Sequence, residues 1–281
     1  ALNFELKKQA IQNSQIAAIV ASKWMEDKVK KSPIWKDKKV YLLPFGVNQD
    51  LFKPGDSQEV RKELGIDKNN IVLMFRADTD VFKGLDIIKK ALKKLESKKK
   101  ITLIIVDKEG EFEDFKDIYN IQEYGWVKDD NFLVKLYQAS DIFLMPSRQE
   151  TFGMMAVEAM SCGKMVLAVN SLGSALKDTI NAPEVGLSVD ENQYTKELQR
   201  LINNLNEIEE RGEKAYEFAK KTYSKERYVN GMIGIYKEVI ANHKSDAKAE
   251  LILQQLKEYL TDGIPVISSS PSVTSNPRKL N

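Results

Sequence analysis

Two glutamates frame the stretch "ETFGMMAVE", Glu150 to Glu158, whose interior is apolar apart from Thr151 and Gly153. Residues 154–160, "MMAVEAM", are apolar on every side of a helix except at Glu158, so a helix there buries an ionisable group. A lone buried carboxylate is costly or takes up a proton, and it demands a partner: a core lysine, a backbone amide or a ligand. Glu150 precedes this helix and follows the apolar run "DIFLMP". At about 1.5 Å of rise per residue the two carboxylates stand roughly 10 to 12 Å apart. Glycosidase acid/base pairs sit closer, at roughly 5 to 9.5 Å. The spacing therefore suits hydrogen bonding to two parts of one long ligand. Thr151, Phe152, Gly153 and Met154 would offer free amides at a helix N-terminus, where an anion or a sugar oxygen is favoured, and Gly153 allows close approach.

A second cluster is "FRADTDVFKG". Arg76 ends one apolar run and Lys83-Gly84 opens the next helix, so two cations reach the sheet edge that carries Glu150. Such a pair makes a diphosphate clamp that needs no metal. A loop of solvated charges is the plainer reading of the same residues. Asp78 and Asp80 in "DTD" could instead hold a divalent ion. The lone histidine, His243, lies in a polar link, and Cys162 sits in the helix-ending "SCG". A histidine-based metal site or a Cys/His nucleophile cannot be assembled from that inventory.

The elements that must position these residues are legible from Ile71 to Val189. "IVLMF", "ITLIIV", "DIFLMP" and "MVLAV" read as strands buried on both faces. Between them lie helices. In "KGLDIIKKALKKLESKKK" Leu85, Ile88, Leu92 and Leu95 recur at helical spacing, and "DDNFLVKLYQASD" starts from Asp129 or Asp130 as N-cap. This alternation predicts an α/β fold with a Rossmann-like, doubly wound parallel sheet, whose ligands bind at the carboxyl ends of the strands. Upstream, residues 15–22 read as one more strand, followed by a helix from Trp24. "SPIWKDKKVYLLPFGVNQDLFKPGD" then reads as a crossover between domains. Helices are expected near 193–205, 208–222, 225–242 and 246–260, with a disordered Ser/Pro/Asn-rich tail over 261–281.

The 281 residues are 42% hydrophobic and carry 43 basic against 41 acidic side chains, a net charge of +2. That balance gives no reason to expect nucleic acid as a partner. One cysteine excludes an internal disulfide, and no signal peptide or membrane-spanning run is legible, so a soluble cytoplasmic protein is expected. The lysines of 89–100 read first as a solvated helix face and second as a peripheral contact for anionic lipid. The opening segment, from Ala1, does not read as the start of a domain, and a piece upstream is expected.

The motif "PSRQETFGMMAVEAMSCGKMVLAV" resembles the signature of glycosyltransferase family 4, retaining enzymes of the GT-B fold: Pro-Ser, a glutamate, Phe-Gly, then a second glutamate after seven residues. "VYLLPFGVNQDLFKP" is similar to the start of that family's donor domain, and "YGWV" with "LYQASDIFLMPS" to its middle section. The likeness runs from about Gln15 to Tyr236. It implies that Arg76 and Lys83 hold the donor diphosphate, that Glu150 and the amides of Thr151 to Met154 hold sugar hydroxyls, and that Glu158 holds the ribose. Gly84 and Val127 join the donor-binding positions on the same ground. Two features depart from the family: six residues separate Arg76 from Lys83, and "GSALKDTI" has Lys177-Asp178 where Pro-Glu is usual.

The resemblance further implies a division into residues 1–34, the remnant of an acceptor domain, and 35–242, the nucleotide-sugar domain, before a helix over 243–260. The activity implied is metal-independent, cofactor-free transfer of a hexose from a nucleotide-diphosphate sugar to a saccharide or lipid-linked acceptor, with retention, as in polysaccharide biosynthesis. A non-catalytic nucleotide-sugar-binding or scaffolding module is the alternative.

Overall fold

A computed structural model describes residues 2–181 and 183–242; the helix expected over 243–260 and the tail beyond it lie outside these residues. The chain opens with α1 (Leu2–Gln12), β1 (Ala18–Val20), α2 (Lys23–Lys31) and β2 (Val40–Leu42). Then follow α3 (Ser57–Glu63), β3 (Ile71–Ala77), α4 (Leu85–Leu92), β4 (Ile101–Asp107), β5 (Asn120–Glu123), α5 (Asp130–Ala139) and β6 (Ile142–Met145). Next come β7 (Gln149–Glu150), α6 (Met154–Ser161), β8 (Met165–Val169), β9 (Gly173–Ser174), α7 (Leu176–Thr179) and β10 (Leu187–Val189), with β7 and β9 paired as a separate two-stranded sheet. Three helices close the described chain: α8 (Tyr194–Ile202), α9 (Leu205–Thr222) and α10 (Lys225–Asn242).

Six strands form one sheet in the order β10-β8-β6-β3-β4-β5, every pair parallel. The central strands are continuously apolar because both faces are covered. Along β3, Val72 and Met74 point into one core with residues of α5, α6 and α9, while Ile71, Leu73 and Phe75 point into a second core with α4 and α8. The chain leaves β3 toward β4 and β5, then returns to the other side of β3 with β6. That reversal makes the gap between the carboxyl ends of β3 and β6 the switch point of the sheet, where a crevice opens.

Local caps agree with the sequence. Asp129 caps α5 by accepting from the Asn131 amide at 2.9 Å, and Asp56 caps α3 by accepting from the Gln58 and Glu59 amides. Arg61, buried at the base of the sheet, donates to the Ala139 carbonyl and to Asp141, tying α3 to the α5–β6 corner.

β1 and β2 pair in parallel, Ala18 opposite Val40, so the segment read as a crossover contains a strand. α10 returns along this pair: Lys39 meets Glu238 at 3.1 Å, and Gly231 lies against Leu43, where a side chain would not fit. No helix among the described residues is long and apolar enough to cross a membrane.

Candidate active site at the switch point of the sheet

Two loops leave the sheet side by side at the switch point. The first follows β3. Arg76 donates from Nε to Asp107 at 2.7 Å, approaches Asp78 at 3.3 Å, and holds its guanidinium 5.8 Å from the centre of the Trp126 ring. Beyond it, the Asp80 amide donates to Asp78, and the Phe82 amide donates to Asp80, which caps a single 3-10 turn over Val81–Lys83. Gly84 leaves this turn at φ 73°, and a side chain there would strike the Pro146 carbonyl. Only glycine brings the first loop this close to the second.

The second loop follows β6 and is zipped to the first through Arg148. Its amide donates to the Phe82 carbonyl at 2.7 Å, and its guanidinium spans the Val81 carbonyl, Asp86 and Glu191. Glu150 lies in β7, opposite Ser174 of β9, and its carbonyl accepts from the Ala175 amide at 2.8 Å. The two loops meet in an ion pair, Lys83 Nζ to Glu150 Oε2 at 3.1 Å.

After Glu150 the backbone turns sharply into α6. Gly153 has φ 95°, a left-handed conformation that side chains resist, and an added Cβ would also crowd Leu176. Among the described residues the amides of Thr151, Phe152 and Gly153 donate no hydrogen bond, and the first amides of α6 have no partner within the helix. Gly153→Ala is expected to destabilise the fold by about 1 to 2 kcal/mol, the cost of forcing a side chain into this conformation. Urea unfolding measures it; an unchanged midpoint would mean that the turn relaxes without loss.

These groups face a cavity of about 400 Å³. Arg76, Lys83, Glu150, Thr151, Phe152, Gly153 and Met154 line it, as does Asp78. Also lining it, unforeseen from sequence, are Phe45, Gly46 and Asn48 together with Lys225 and Tyr228 at the start of α10. A bridge between Val47 and Ser224 holds these segments together, and Phe45 packs edge-on against Phe152 at 5.3 Å. Pro44-Phe45-Gly46 carried a turn signal, whereas nothing in "YSKERYVN" marked Lys225 or Tyr228.

Three expected positions do not line the cavity: Gly84, Val127 and Glu158. Gly84 sets the loop approach, and Val127 packs against the core on the α5 side. Glu158 is 3% exposed and accepts a hydrogen bond from the Tyr137 hydroxyl at 2.9 Å. The partner is thus a phenol, in place of the lysine or amide anticipated. Burial pushes the Glu158 carboxyl up to about 7; the Tyr137 hydrogen bond opposes this and the nearby Asp130 carboxylate adds to it. Met154 and Met155, one helical turn earlier, line the cavity, which Glu158 does not. Lys177 and Asp178 are exposed on α7.

The Asp78 and Asp80 carboxylates accept from amides within their own loop, and Asp78 also pairs with Arg76. Among the described residues no three His, Cys, Asp or Glu side chains gather as a metal-binding group.

A parallel doubly wound sheet with a crevice at its switch point is the architecture of one half of a GT-B fold. Residues 56–222 match the family model of the glycosyl transferases group 1, and the chain belongs to that family. It is 28% identical over 261 residues to a D-inositol 3-phosphate glycosyltransferase of Corynebacterium glutamicum, covering 86% of this chain and 62% of that protein. The counterpart in Segniliparus rotundus is 31% identical over 156 residues, 51% of this chain and 35% of that protein. The chain thus spans between 35% and 62% of the length of these curated relatives. Among solved structures, sucrose-phosphate synthase from Thermosynechococcus elongatus superposes with a TM-score of 0.73 at 21% identity, over 86% of this chain and 62% of that one. Anabaena Alr3699/HepE in complex with UDP-glucose gives 0.58 at 19% identity, over 86% and 63%. These two likenesses establish the fold alone.

Proposed function

We propose that this chain is the donor-binding half of a glycosyltransferase that moves a hexose from a nucleotide-diphosphate sugar to a hydroxyl of a saccharide or lipid-linked acceptor, with retention and without a metal. The observation that carries the reading is the convergence, in one cavity, of Arg76, Lys83, Glu150 and the segment Thr151 to Gly153, whose three amides donate to no other group among the described residues. Two cations and a helix N-terminus suit a diphosphate, and a carboxylate beside them suits the hydroxyls of the attached sugar. The Anabaena protein's complex with UDP-glucose makes a uridine nucleotide the first donor to try.

The chemistry assigned to these groups is electrostatic. As the bond between the anomeric carbon and the diphosphate breaks, negative charge builds on the leaving oxygen. Arg76, Lys83 and the amides of Thr151 to Met154 are preset to stabilise it. Glu150 orients the sugar. Glu158 is assigned to the ribose, which requires the cavity to reach it, and Met154 and Met155, lining the cavity one turn earlier, have the unbranched side chains suited to such a motion. Arg76 and Asp78 already form a pair, so binding exchanges one set of partners for another.

A thermal-shift screen of nucleotide sugars, with and without chelator, tests the proposal, because a ligand that binds only the folded state raises the melting temperature. A rise of several degrees with at least one nucleotide sugar, unchanged by chelator, is expected. No shift with any donor would overturn the assignment. Since two relatives are named for D-inositol 3-phosphate, that compound belongs in the acceptor panel for turnover by the full-length protein.

A further inference from the structure

Lys83 and Glu150 are assigned to different parts of the donor, yet without ligand they are each other's partner at 3.1 Å. The pairing is built in. Lys83 sits at the end of a 3-10 turn, its amide donating to the Asp80 carbonyl at 2.8 Å, and Glu150 sits in a strand pair braced by Ala175. Arg148 fastens the two loops together beside them. Arg76, the other cation of this loop, pairs with Asp107 and Asp78.

A diphosphate that recruits Lys83 competes with Glu150 for the same ammonium group, and it brings its own negative charge next to that carboxylate. A nucleotide sugar repairs the loss, since its hydroxyls donate to the freed carboxylate. A nucleoside diphosphate without a sugar cannot. We infer that Glu150 is also a built-in counter-ion of Lys83, one that penalises the bare nucleoside diphosphate relative to the nucleotide sugar and so favours release of that product after transfer. The inference rests on the diphosphate and sugar assignments proposed above. It is discrimination by an unfavourable element, and it shifts affinity only through the difference between the two ligands.

Calorimetric titration of the full chain with uridine, guanosine and adenosine diphosphates, each beside UDP-glucose, GDP-mannose and ADP-glucose, tests it in a double-mutant cycle. Glu150→Gln is expected to bind the preferred nucleoside diphosphate about fivefold more tightly, the size of a partly exposed ion pair, and to bind the matching nucleotide sugar more weakly. In a Lys83→Ala background the gain from Glu150→Gln is expected to shrink, because only the repulsion between carboxylate and diphosphate is then left to relieve. An unchanged or lowered diphosphate affinity in Glu150→Gln would overturn the inference. So would a gain that persists undiminished without Lys83, which would make Glu150 a source of general repulsion. If Lys83→Ala alone leaves diphosphate affinity at the wild-type value, or no diphosphate binds, the clamp itself falls and the inference with it.

Discussion

Lys83→Ala is expected to weaken binding of the nucleotide sugar by about 1.5 to 3 kcal/mol, the range for hydrogen bonds to charged groups. Two effects oppose each other. The diphosphate forfeits a cation, but binding no longer has to disrupt the pair that Lys83 makes with Glu150 at 3.1 Å. The lower end of the range is therefore expected, with Lys83→Arg retaining more affinity than Lys83→Ala because it preserves the charge. Chelator should leave wild-type affinity unchanged. Affinity abolished by chelator and restored by magnesium or manganese would return the site to the metal reading of Asp78 and Asp80. An unchanged affinity in Lys83→Ala, with the circular dichroism spectrum intact, would remove Lys83 from the clamp.

Glu158→Gln is expected to make the protein more stable and a poorer binder. Glu158 is buried against Tyr137, and its carboxyl is raised from 4.5 to about 7 by burial. A raised folded-state pKa means that the protonated group contributes stability which is fully present below the unfolded-state value and is lost as pH rises through about 7. The displacement from 4.5 to about 7 corresponds to about 3 kcal/mol. Glutamine keeps an acceptor for the Tyr137 hydroxyl and carries no charge at any pH. Urea unfolding should place variant and wild type close together near pH 5 and separate them, in favour of the variant, by about 3 kcal/mol above pH 8. Over the same range the variant should lose about 1 to 3 kcal/mol of affinity for nucleoside diphosphate and nucleotide sugar alike, since the ribose is common to both. Parallel unfolding curves at all pH values would show that the carboxylate gains no proton on folding. Undiminished affinity would leave Glu158 as a core residue.

The residues that were legible and those that were not differ for reasons of distance along the chain. Arg76, Lys83 and Glu150 could be found because each follows a strand or opens a helix, and strand ends are marked by where an apolar run stops. The strands β3, β4, β6 and β8 carried that mark because both of their faces are buried. β5 and β10 did not. They are the two edge strands, half covered and short, and "NIQE" and "LSV" become strands only because a neighbour supplies hydrogen bonds along one side. β2 was hidden in a Pro/Gly-punctuated segment for the same reason: its partner, β1, is 22 residues away in register, Ala18 opposite Val40.

By itself, then, the sequence determined the periodicities: a parallel α/β sheet buried on both faces, helices between the strands, and charged residues in the segments that follow β3 and β6. Periodicity is local, set by backbone geometry and the apolar content of a few turns or pleats. Only the tertiary structure decided the strand order, and with it the switch point between β3 and β6 that turns separate loops into one crevice. It also decided the partners. Lys83 meets Glu150, Tyr137 meets Glu158, and Phe45 meets Tyr228, contacts between residues 21 to 183 positions apart. Such contacts arise when the two cores pack, because charge and hydrogen-bonding groups excluded from water must find one another wherever the chain has brought them.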